Sequence, residues 1–142
     1  MRATPVAAKA ALVDRLSAWP ALAGVLVDWS PPAHLPRERE RIFLDEVRDF
    51  RRSSDYQSGS RTETYTIAAL IEVHQAVAEQ QPVETRWWEL FDHVEDAVEA
   101  DPELDGVVHR ARLDGADGFE AGPTDQGWLV RIAALIGVRV EV

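Results

Sequence analysis

The sequence contains no cysteine. That excludes disulfides, thiolate metal sites and a cysteine nucleophile together, and it is compatible with a cytosolic life. No apolar run approaches the roughly 20 residues a helix needs to cross a bilayer. The N-terminal stretch is Ala-rich, but Lys9, Asp14 and Arg15 interrupt any apolar region of a signal peptide, so synthesis is expected to be intracellular. There is no GxSxG, Walker loop, GxGxxG, HxH or HExxH. Lysine is nearly absent too, with one against fourteen arginines, a bias of GC-rich coding that bears on source rather than function. An overall basic footprint is also missing. The formal net charge is −10, which argues against recognition of nucleic acid through its phosphates.

What is present points to one globular domain spanning 1–142. The length of 142 residues and a hydrophobic content of 46% suit a single core. The acidic excess is local. Residues 84–125 hold thirteen acids against three arginines, and the remainder of the chain is balanced. A solvated acidic helix face followed by an acidic loop accounts for it.

The clearest structural signal lies at the end of the sequence. From Trp128 every even position is apolar: Val130, Ile132, Ala134, Ile136, Val138, Val140 and Val142. A period of two held this long is a half-buried β-strand. A second alternating run places Tyr65, Ile67, Ala69, Ile71 and Val73 on one face and Thr62, Thr64, Thr66, Glu72 and His74 on the other. Between them, Trp87, Leu90, Phe91, Val94 and Val98 form one apolar face of a helix over 83–100.

The remaining elements follow from local signals. Thr4-Pro5 reads as an N-cap with proline at the first helical position, opening a helix to about residue 18, where Trp19-Pro20 ends it. Residues 24–29 read as a short strand and 31–38 as a Pro-rich connector. A strand is expected from Arg39 to about Phe50, with Ile42 and Leu44 on one face and Phe43 and Val47 on the other; its imperfect alternation points to a bulge or one exposed face. Residues 51–61 read as a long polar loop between antiparallel neighbours. Asp101-Pro102 reads as a capped turn of helix stopped by Gly106. Residues 107–113 alternate as a fourth strand, and 114–126, with three glycines and Pro123, read as a loop. The predicted fold is α+β: a largely antiparallel sheet of about five strands flanked by two main helices, in the order α-β-β-β-α-β-β.

Candidate chemistry is weak throughout. Asp101, Glu103, Asp105 and Gly106 match the opening of an EF-hand loop, but the twelfth position is Arg112 instead of a bidentate glutamate. A capped turn is the better reading. His34, His74, His93 and His109 show no ligand spacing, although His93 could pair with Glu89 one helical turn away. Ser53, Ser54, Ser58 and Ser60 read as loop solvation. No catalytic, cofactor or metal site is expected. Five tryptophans are more informative. Most suit the core, while Trp29 and Trp88 are the expected interface anchors. Arg51, Arg52, Tyr56 and Arg61 in the 51–61 loop complete the candidate protein interface, because arginine and tyrosine are favoured contact residues. The reading is of an α+β building block whose business is contact with other proteins.

A set of elements resembles a known family. The Ala-rich helix with Leu12-Val13-Asp14-Arg15-Leu16 leads into Trp19-Pro20-Ala21-Leu22-Ala23-Gly24-Val25. Glu40-Arg41-Ile42-Phe43 opens a hairpin, and Glu63-Thr64-Tyr65-Thr66-Ile67 returns. An acidic amphipathic helix and a last long strand follow. In order and texture this resembles the tail terminator, or tail-completion, proteins of long-tailed bacteriophages over nearly the whole chain. The resemblance implies a non-enzymatic virion subunit without cofactors. It would form a homo-oligomeric ring, expected to be a hexamer, on the head-proximal end of the tail tube. It would stop tube polymerisation and meet the tail tube protein below and a head-side connector or stopper above. Genomic DNA would pass through the ring without specific binding, and no membrane is implied. The location would be the neck of the virion, with assembly in the host cytoplasm. Two alternatives stand beside it: another neck or connector component, and a small ligand-binding or enzymatic α+β domain.

Overall fold

The computed structural model describes residues 3–30, 40–55 and 57–141. Helix α1 spans Pro5–Ala18, with Ala8, Leu12 and Leu16 buried. Pro5 occupies the first turn, where its missing N–H costs nothing. The expected Thr4 cap does not form: Thr4 makes no side-chain capping bond. Its hydroxyl instead donates to Glu63 Oε1 at 2.8 Å and lies 3.0 Å from the Tyr65 hydroxyl, so a distant carboxylate outcompetes the local helix end. Trp19, in extended conformation, ends α1 as expected, and a 3-10 turn, Pro20–Leu22, follows.

Five strands form one mixed sheet: β1 Leu26–Asp28, β2 Glu40–Ser54, β3 Arg61–Gln75, β4 Arg110–Thr124 and β5 Gly127–Glu141. Their spatial order is β1-β2-β3-β5-β4. The short β1 pairs in parallel with β2, and all other pairings are antiparallel. The Pro-rich connector read at 31–38 lies outside the described residues.

Helix α2 spans Gln80–Ala100 and buries Val83, Trp87, Leu90, Val94, Ala97 and Val98. Both helices lie on one face of the sheet. There they meet Ile67, Ala69, Ile71 and Val73 of β3 and Val130, Ile132, Ala134 and Ile136 of β5 in one core. This is the inward set that the period of two defines. Trp87 is fully buried, and its indole N–H donates to the Ile71 carbonyl at 2.9 Å, so the one polar group of its ring is satisfied. The helices are also tied by polar contacts. Arg15 Nε donates to the Ala97 carbonyl at 2.9 Å, and Arg86 meets Glu40 at 2.5 Å, linking α2 to the start of β2.

The structure corrects the sequence reading at four further places. The segment 51–61 is not one long loop: the ladder runs through Ser54↔Arg61, leaving a short tip. That tip is tied by Asp55, whose backbone N–H donates to Ser60 O at 2.9 Å and whose carboxylate accepts from the Gln57 N–H at 2.9 Å. Residues 114–126 are not a loop either, since β4 continues to Thr124 through Gly115, Gly118, Gly122 and Pro123. As an edge strand with two bulges, β4 tolerates residues that a central strand would not. Val47 does not share a face with Phe43. A bulge between Leu44 and Val47 adds one residue and turns Val47 toward the core. Finally, 101–106 forms turns instead of a helical turn. Leu104, Asp105 and Gly106 all have positive φ, and Asp101 accepts from the Asp105 N–H at 2.9 Å.

Candidate functional site

No described element covers the second face of the sheet. Strand register places charged side chains there in rows. Glu72 of β3 lies between Arg41 of β2 and Arg131 of β5. Glu72 is only 4% exposed and holds Arg41 at 2.5 Å and Arg131 at 2.6 Å. Glu120 of β4 continues the row at 3.6 Å from Arg131. Signs alternate, so each charge is flanked by its opposite, and a buried carboxylate needs such partners.

Beyond this ladder comes a small apolar strip. Phe43, Ala68 and Ala133 are buried, although they lie outside the helix-covered core. The Arg41 guanidinium lies over the Phe43 ring, 5.5 Å from its centroid.

The far end of the same face is basic. One row reads Arg51, Thr64, Arg139, Arg110 across β2, β3, β5 and β4; the next reads Arg48, Thr66, Gly137, Arg112. All of these except Arg48 line a cleft of about 650 Å³, with Asp49 and Asp114 as its acidic members. Arg112 is held by Asp114 at 2.7 Å and Arg139 by Glu141 at 2.7 Å. At Gly137 a Cβ would sit 2.1 Å from an Asp114 carboxylate oxygen, so a larger residue there would require the Asp114 side chain to swing aside. Among the described residues, no ion pair or side-chain hydrogen bond engages Arg51 or Arg110. Arg48 bridges the trough by meeting Asp117 at 3.1 Å. A flat sheet would separate β2 from β4 by roughly 14 Å at the ordinary strand spacing. The face is therefore concave, bent by bulges in both strands.

Of the six residues expected at an interface, the five described ones fall in different places. Arg51 lines the cleft. Arg52 and Arg61 turn to the opposite face, where both reach Glu63, at 2.7 and 3.5 Å. Glu63 is fully buried. Burial opposes its ionisation, but hydrogen bonds from the Thr4 hydroxyl and N–H and from Arg52 outweigh that and hold its carboxyl below the ordinary value. Tyr56 lies outside the described residues. Trp29 is 36% exposed and carries Lys9 over its ring at 4.5 Å. Trp88 is 45% exposed on α2, edge-on to Trp87 and Phe91. The structure thus does not gather the five described residues into one patch. Sequence reasoning missed Arg110, Arg112 and Arg139 as partners of Arg51. Their outward phase in alternating strands was the available signal.

The described histidines do not converge. His74 Nε2 lies 2.8 Å from the Thr124 hydroxyl, and His109 lies 3.7 Å from Glu141. His93 makes no ion pair with Glu89, and His34 lies outside the described residues. Among the described residues, no group of three or more His, Asp or Glu side chains is placed to hold a metal ion. None of the described helices is long and apolar enough to cross a membrane.

No protein-family model matches the chain, and no curated protein is similar to it. Among solved structures, it is similar to a chain of one described as the virion of a native gene transfer agent particle. The identity is 20%, covering 99% of this chain and all of that one, with a TM-score of 0.43. At that score the two backbones agree only loosely.

Proposed function

We propose that this chain is a structural subunit of a phage-like virion and acts there as a tail terminator. It forms a ring, six subunits in the resembled family, on the head-proximal end of the tail tube. The ring stops tube growth and presents a surface to the head-side connector or stopper. It works without cofactor or catalysis, in the neck of the particle, after assembly in the host cytoplasm.

The observation that carries this reading is the unlike charge of the two sides of the sheet. One side bears the acidic helix α2, with Asp92, Asp96 and Glu99 exposed; the other bears the arginine-lined cleft. A subunit with two different complementary surfaces associates head-to-tail, and head-to-tail contacts close into rings when the rotation permits. The acidic excess also suits a pore through which DNA slides, since like charge repels phosphate. The family resemblance over nearly the whole chain supplies the tube end as the ring's place.

Immunogold electron microscopy of intact particles tests the location. Label at the junction of tube and head is the expected result. Label on the head shell or at the distal tip would contradict it.

A further inference from the structure

We infer that the arginine cleft of one subunit receives the outer acidic stripe of helix α2 from a second copy of this chain. This deepens the ring-subunit reading and rests on it.

Four observations support the pairing. The cleft carries two guanidinium groups, on Arg51 and Arg110, with no side-chain partner among the described residues, beside two that are already neutralised locally. Helix α2 carries the complementary surplus: Asp92, Asp96 and Glu99 are exposed and form no ion pair among the described residues. The dimensions agree. Asp92 and Glu99 are separated by roughly 10 Å along the helix axis. Arg51 and Arg110 stand at opposite ends of a four-strand row of roughly 14 Å if flat, and the concavity marked by the Arg48–Asp117 contact shortens it. Trp88 lies one turn before Asp92 and is exposed, which gives the stripe an aromatic end on which an arginine can stack.

The geometry also fixes the kind of contact. Cleft and stripe lie on opposite sides of one sheet, so a single chain cannot join them. Each copy offers its stripe to one neighbour and its cleft to another. Edge-to-edge strand pairing is a poorer route, because the free edge of β4 is broken by two bulges and carries Pro123, Asp117 and Glu120.

The test uses the full chain in sedimentation velocity at about 50 mM and about 500 mM salt, conditions that differ strongly in screening. The wild type should sediment as an oligomer that loosens at high salt. Arg51→Glu with Arg110→Glu should weaken assembly at least about 100-fold, as two reversed pairs imply. Asp92→Arg with Glu99→Arg should do the same. Both double variants replace exposed side chains, and circular dichroism should find them folded. The four substitutions combined in one chain should restore assembly, which mere surface damage would not do. If the double variants assemble like the wild type, the cleft is not the contact, while the ring reading survives. If the wild type is monomeric at both salts, this proposal and the ring reading both fail. If assembly is unchanged but the arginine variant alone loses binding to a labelled DNA duplex, the cleft serves nucleic acid and the proposal is overturned.

Discussion

Arg48 of β2 and Asp117 of β4 lie 3.1 Å apart, although β3 and β5 run between their strands. Both residues follow or precede bulges, and bulges bend the strands that carry them. Both side chains are partly exposed, and exposed pairs contribute about 1 kcal/mol or less. A double-mutant cycle with Arg48→Ala and Asp117→Ala should therefore give a coupling energy below about 1 kcal/mol. A coupling of several kcal/mol by urea denaturation would mean that the pair itself holds the trough shut.

Glu72 is the opposite case. It is almost wholly buried between Arg41 and Arg131. Glu72→Ala strands a largely buried Arg41 and should cost about 3 kcal/mol. Arg131→Ala should cost far less, because Glu72 keeps Arg41 and Arg131 is itself 37% exposed. Equal losses for the two variants would show that the ladder is not organised around the carboxylate.

Glu63 makes stability depend on pH. Its folded carboxyl titrates below the ordinary 4.5. The unfolded chain therefore takes up its proton first as acid is added. The stabilisation is fully present above the unfolded value and is lost as pH falls through the lower folded value. Denaturation midpoints measured between neutral pH and about pH 3 should fall more steeply below about 4.5 for the wild type than for Glu63→Gln. Parallel curves would remove Glu63 from the account.

Gly127 opens β5 at φ +148°, and a Cβ there would sit 1.9 Å from the Gln75 carbonyl oxygen and 2.8 Å from the Ala76 Cα. These are backbone atoms and cannot swing aside. Gly127→Ala should cost at least about 2 kcal/mol and lower the melting temperature by roughly 5 °C. Gly122→Ala, with nothing within 4 Å, is the control and should change little.

Much of this fold is legible because two strands and one helix carry strong periodic signals. Ile132, Ala134 and Ile136 point inward as their alternation requires, and Trp87, Leu90 and Val94 share the helical stripe that packs on them. The misread parts are those where a neighbour or an edge position decides. Gly115, Gly118 and Pro123 look like loop chemistry, yet an edge strand needs ladder bonds on one side only. Val47 changed face because one bulge shifts the phase of everything after it. The cleft was hidden for a related reason. Arg51, Arg110 and Arg139 are scattered along the chain, and only the register of four strands brings them into one row.

The central claim is that this subunit ends tube growth. The most direct measurement is the tail-length distribution, by electron microscopy, of particles made by a producing strain whose gene for this chain is deleted. The account predicts free tubes of broadly distributed, excessive length with no heads attached. Tails of normal, uniform length without heads would place the subunit in the connector instead. Complete particles of normal tail length would contradict a structural role at the tube end altogether.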